Sequence, residues 1–125
     1  WNNGVGIGAF AKAIRSEGLT PGFVTLNPHC IPEIIRFAGE DVWIMSSVNS
    51  AGIQMGPDPK WVEENILGEG SLNILAMSIL GGGLLDPESE IPRALSYPAV
   101  KSVVVGTRSR KNLSNLMQIM SSLDQ

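Results

Sequence analysis

Asn73-Ile74-Leu75-Ala76-Met77-Ser78-Ile79-Leu80-Gly81-Gly82-Gly83-Leu84-Leu85 is the stretch on which the fold turns. An apolar run of strand length leads directly into three glycines. That order reads as a buried strand opening into a loop whose backbone a ligand can approach closely. The same design recurs at Ser102-Val103-Val104-Val105-Gly106-Thr107-Arg108-Ser109. Paired loops after the last two strands are where (β/α)8 barrels often hold phosphate groups.

Working outward, helices and strands alternate. Gly8 to Gly18 reads as a helix, with Phe10, Ala13, Ile14 and Glu17 at helical spacing and Gly18 as its stop. Gly4-Val5-Gly6-Ile7-Gly8 lacks both the preceding strand and the spacing of a dinucleotide fingerprint, and reads as a disordered start or the tail of a loop. Phe23 to Leu26 is a strand. Ile31, Ile34, Ile35 and Ala38 mark one face of a second helix, closed by Gly39. Val42 to Val48 is the next strand, and Asn49 to Gly56 a loop. Asp58-Pro59 is a helix start, with Asp as cap and Pro in the first helical position. Ile74 to Met77 and Ser102 to Val105 are the remaining strands. A short helix falls within Asp86 to Tyr97, delayed or kinked by Pro92, and the last begins near Ser109.

These strands are β-branched and apolar at nearly every position, the pattern of parallel strands buried on both faces. Four βα units make half of a TIM-type (β/α)8 barrel, whose usual length is about 250 residues. The expected fold is therefore α/β, with parallel βα repeats forming a half-barrel across residues 1–125 as one domain. A small doubly wound sheet is the competitor. Trp1 in place of Met suggests a piece of a larger barrel.

Composition narrows the function classes. A net charge of −3 without a basic run leaves nothing to neutralise a nucleic-acid backbone. No apolar stretch is long enough to span a bilayer, and no signal peptide is visible. One cysteine, Cys30, allows no internal disulfide and suits a reducing, cytoplasmic setting. With a single His and a single Cys, adjacent at 29 and 30, neither a zinc site nor a catalytic dyad is expected. Glu63-Glu64 reads as a solvated face, and the five methionines as core filling.

The candidate binding residues follow from the two loops. Gly81, Gly82 and Gly83 remove side chains where an anionic ligand could meet backbone N–H groups; a flexible turn is the plainer alternative. Gly106, Thr107, Arg108 and Ser109 lead into a helix whose first turn attracts anions, with Ser109 as cap and Asn112 three residues on. Arg108 offers a planar fork matched to phosphate; an ordinary capped helix with solvated cations is the alternative. Asn49, at a strand end, can donate to a ligand at the barrel mouth or simply start a loop. No general acid–base set is visible, so catalytic residues are expected upstream of Trp1.

The residues from Ala13 to Gly18 with Gly22 to Thr25, Val42 to Asn49, Ala76 to Leu85 and Val103 to Leu113 resemble, in register, the C-terminal half of aldo-keto reductases, in the predicted-oxidoreductase branch. The resemblance implies an NADP(H) site, with Ser78, Leu80, Gly81, Gly82 and Gly83 on the pyrophosphate. It puts Arg108, Ser109 and Asn112 on the 2′-phosphate, and matches Asn49 to the asparagine of the sixth strand. It also implies hydride transfer to a carbonyl, with an upstream tyrosine as proton donor. Met77, Ile79, Met45 and Val24 depart from the family's nicotinamide-contacting pattern. A phosphate-binding lyase, aldolase or isomerase barrel stays open beside this reading, as does a half-barrel module without catalysis. Open sheet edges imply self-association or a missing N-terminal half.

Overall fold

The computed structural model describes residues 3–123. Trp1 lies outside them. Helix α1 (Gly4–Ser16) leads into β1 (Gly22–Thr25), followed by a 3-10 turn (Pro28–Cys30) and α2 (Ile31–Ala38). Strand β2 (Trp43–Ser47) precedes α3 (Pro59–Val62), which continues as a π-helical turn (Glu63–Leu67). Strand β3 (Asn73–Met77), a glycine turn (Gly81–Gly83), α4 (Pro87–Ser96), β4 (Val100–Val103) and α5 (Arg110–Leu123) complete the order.

The strands form one parallel sheet in the order β1-β2-β3-β4. Parallel neighbours joined by right-handed crossovers, always stepping the same way, put every helix on the same face. A doubly wound sheet needs a reversal of strand order, and none occurs here. The registers confirm which residues share a face. Phe23, Ile44, Ile74 and Val100 align across the sheet, and Ser46, Ala76 and Val103 continue that side. Ile44, Ile74, Ala76 and Val100 are buried there against Ile31, Ile34, Val62, Ile66 and Ile91.

The opposite face is uncovered, which corrects the expectation of strands buried on both sides. It carries Val24, Met45, Leu75 and Ser102 in one row, with Trp43, Met77 and Val104 beyond. Val24 is 68% exposed, Trp43 40% and Val104 42%. The apolar pattern is real, but the structure supplies a covering layer for only one side.

Several boundaries shift. Gly4 to Gly8 is helical, not a loop: the Asn3 side chain accepts from the Gly6 N–H and starts α1 early. Ala11 is the buried residue of α1, whereas Phe10 is largely exposed and meets Phe23 edge-on, ring centres 5.4 Å apart. Strand β4 runs from Val100, not Ser102, because the Ile74 N–H bonds the Ala99 carbonyl at 2.9 Å and a bulge between Ile74 and Leu75 resets the pairing. Pro92 sits inside α4 without delaying it. Glu63 is half-buried and paired with Arg93 rather than solvated. Met55 is fully buried, but Met117 is 61% exposed on α5.

Asp58 caps α3 as its sequence implied, accepting from the Trp61 N–H at 3.1 Å. Asp58→Ala should cost about 1 kcal/mol, seen as a fall of about 4 °C in Tm. At the other end of the sheet Arg15 bridges to Asp41 and donates to the Ala38 carbonyl at 2.6 Å, tying α1 to the end of α2. The hydrogen bond from Arg15 holds the Asp41 carboxyl below its ordinary 3.8. Because the folded value is the lower one, this tie is complete at neutral pH and is lost only as acid protonates Asp41 below that ordinary value.

Candidate functional site

The C-terminal ends of β3 and β4 open together into a cleft of about 800 Å³. Ser78, Leu80, Gly82 and Gly83 form one wall, and Gly106, Thr107, Arg108, Ser109 and Asn112 the other. The sequence-derived residues of the two loops, separate in the chain, are thus brought together in one cleft. Two are not in the lining. Gly81 is buried beneath the loop, and Asn49 is 1% exposed within the protein.

Local backbone geometry explains the glycines. Gly81, Gly82 and Gly83 have φ of 52°, 74° and 93°, and Ser78 just before them has φ of 55°. L-residues rarely take such values, and glycine does so at no steric cost. A Cβ on Gly82 would meet nothing within 4 Å, so the residue is required by its backbone angle and not by crowding. Gly82→Ala should therefore lose about 1–2 kcal/mol from the left-handed conformation alone. Urea unfolding would show a lower midpoint at unchanged slope.

The second wall is a helix entry. Thr107 Oγ1 accepts from the Ser109 N–H at 3.2 Å, and Ser109 Oγ accepts from the Asn112 N–H at 3.4 Å. A helix start leaves its first N–H groups without partners in the helix, and its dipole favours an anion there. Arg108, Arg110 and Lys111 are all exposed around this start. Arg108 has no ion-pair partner among the described residues.

The loop after β2 holds the glycine loop in place. Asn49 Nδ2 donates to the carbonyls of Ile53 at 2.9 Å and Ser78 at 3.3 Å, and its Oδ1 accepts from the Ile53 N–H at 2.8 Å. Its hydrogen bonds run to the backbone, so it acts on the cleft through Ser78. Gln54, with φ of 57°, accepts through Oε1 from Ser78 Oγ at 3.0 Å and Ser47 Oγ at 3.4 Å. Buried Glu90 of α4 accepts from the Ser50 N–H at 2.9 Å and anchors the same loop. Sequence reasoning missed Gln54 and Glu90. No motif marks Gln54, and Glu90 carried only the signal of an acid in a first helical turn.

His29 stacks on Trp61 at 4.3 Å between ring centres, a packing contact between the starts of α2 and α3. Among the described residues no group of three or more His, Cys, Asp or Glu converges on a metal-sized site. Likewise no described helix is long and apolar enough to cross a membrane. No family model, curated protein or solved structure matches the chain.

Proposed function

We propose that this chain is the C-terminal half of a (β/α)8 barrel and binds the phosphate groups of NADP(H), as part of an aldo-keto-reductase-like oxidoreductase. The convergence of the glycine turn and the capped start of α5 on one cleft, at the C-terminal ends of adjacent parallel strands, carries this reading. The cleft has the volume of a small-molecule site. Open space over Gly82 and Gly83 lets a pyrophosphate lie against backbone. Arg108, without an ion-pair partner among the described residues and beside the Ser109–Asn112 cap, suits a terminal phosphate monoester. When bound, NADP(H) supplies the hydride; the residues of this chain hold and orient its phosphates.

Titration calorimetry with NADPH and NADH tests the proposal. NADPH is expected to bind at least about tenfold tighter, the worth of one charge-assisted contact to the extra phosphate. Equal affinities would contradict it.

A second reading has its own support. Met45 and Met77 stand on the uncovered face where a nicotinamide-binding barrel would offer polar or aromatic partners. A barrel of other chemistry would use the same cleft for a phosphorylated metabolite. In that case inorganic phosphate or a sugar phosphate should protect the chain against heat, and NADPH should do no better.

A further inference from the structure

Two residues other than glycine carry a positive φ among the described residues, Gln54 at 57° and Ser78 at 55°. They lie 24 positions apart and are hydrogen-bonded to each other, Ser78 Oγ donating to Gln54 Oε1 at 3.0 Å. A residue with a Cβ is costly in this backbone region and persists only where its surroundings fix it. Here the two strained residues fix each other. A third group anchors the pair. Ser47 Oγ also donates to Gln54 Oε1, at 3.4 Å, and Ser47 is fully buried at the end of β2, in register with Met77 of β3. Gln54 therefore ties the C-terminal ends of both strands together at the entrance to the glycine turn.

The hydrogen-bonding groups of Ser78 are committed to this support. Its hydroxyl has one proton, which goes to Gln54. Its carbonyl has two lone pairs, and accepts from the Gly81 N–H at 2.9 Å and from Asn49 Nδ2 at 3.3 Å. An ionised phosphate needs donors, so a hydroxyl whose proton is already given away has none to offer it. Ser78 lines the cleft, yet its contacts run to the loop after β2 and to the turn that follows.

We propose that Gln54 is a positioning residue of the phosphate site, and that Ser78 serves the same hold and does not itself contact the phosphate. The Gln54 side chain fixes the Ser78 hydroxyl, and with it the left-handed start from which Gly81, Gly82 and Gly83 present their backbone to the cleft. This role rests on the phosphate-binding reading above. It differs in sign from direct contact. If the Ser78 hydroxyl bound phosphate, Gln54 would compete for its proton, and removing Gln54 would leave affinity unchanged or raise it. If Gln54 positions the turn, its removal lowers affinity.

Gln54→Gly separates stability from positioning, because glycine accepts the left-handed backbone without cost while the side chain is lost. Relief of the backbone offsets the missing hydrogen bond, so Tm should stay nearly unchanged. Titration calorimetry should nevertheless show NADPH binding about tenfold weaker. Gln54→Asn also tolerates this backbone but is one methylene too short to keep the bond, and should behave alike without the added flexibility of glycine. In a Ser78→Gly background neither substitution should weaken binding further, since their partner is gone. Hydrogen exchange supplies a reading that needs no ligand. The Gly81 and Gly83 amides, bonded to the Ser78 and Leu80 carbonyls at 2.9 and 2.8 Å, should exchange about tenfold faster in both Gln54 variants, with β2 and α4 unaffected.

NADPH binding that is unchanged or tighter in both Gln54 variants overturns the inference and leaves the NADP(H) reading standing. An equal loss with and without the Ser78 hydroxyl overturns it as well. If the unaltered chain binds no NADPH while the Gly81 and Gly83 amides still exchange faster in the variants, the ligand assignment falls and the hold of Gln54 on the turn stands. Unchanged exchange at those amides removes that hold.

Discussion

Arg108→Ala is expected to abolish the preference for NADPH over NADH. Its guanidinium stands at the rim of the cleft, next to the capped start of α5, with no acidic partner among the described residues. A hydrogen bond to a charged group contributes about 1.5–3 kcal/mol. Arg108 is exposed, so solvent screening puts it at the low end, about tenfold in affinity. NADH, which lacks the additional phosphate, should bind the variant and the unaltered chain alike. The conservative Arg108→Lys should recover part of the difference, because a point charge remains but the planar fork is lost. A variant that loses NADH and NADPH equally would instead mean that Arg108 supports the loop and not the phosphate.

The largest stability effect is expected at Asn49. This side chain is almost fully enclosed, and its amide satisfies two carbonyls and one N–H of the loops after β2 and β3. Asn49→Ala strands the Ile53 N–H and weakens the support of Ser78 in a buried setting. Leaving a buried polar group unsatisfied costs about 1–3 kcal/mol, and the cavity adds to this, so a total of about 3 kcal/mol is expected. Chemical denaturation measures it directly. Ligand affinity should fall as well, since Ser78 begins the glycine loop, and Asn49→Asp should be nearly as damaging because it removes the amide donor. A loss within about 0.5 kcal/mol would show that the loop is held by Gln54 and Glu90 alone.

These two residues illustrate what the chain discloses by itself. The alternation of helix and strand was legible because its punctuation is local. Asp58-Pro59 announces a helix, Gly39 ends another, and apolar runs fix the strands. Both walls of the cleft were legible for the same reason, each being a strand followed by a short stretch of glycine or capping residues. The start of β4 was not. Val103 to Val105 is the most β-prone run, yet pairing begins at Val100 because the bulge opposite Ile74 is set by the neighbouring strand. Nor could the open face be read. Apolar residues on both sides of a strand say that both sides are meant to be buried, not that a cover is at hand. Asn49 looked like a ligand donor because it ends a strand; only the path of the next loop shows that its hydrogen bonds are taken. Gln54 had no signal at all, since nothing in an isolated glutamine foretells a positive φ or a partner 24 positions away.

The central claim is that the two loops form one phosphate-binding cleft. It is tested most directly by mapping amide NMR shifts of the isotopically labelled chain as NADPH is added. The account predicts saturable shifts concentrated at Ser78 to Gly83 and Gly106 to Asn112, smaller with NADH at the latter stretch. Shifts absent from both loops at millimolar NADPH, or centred on the α1–α2 side of the sheet, would contradict it.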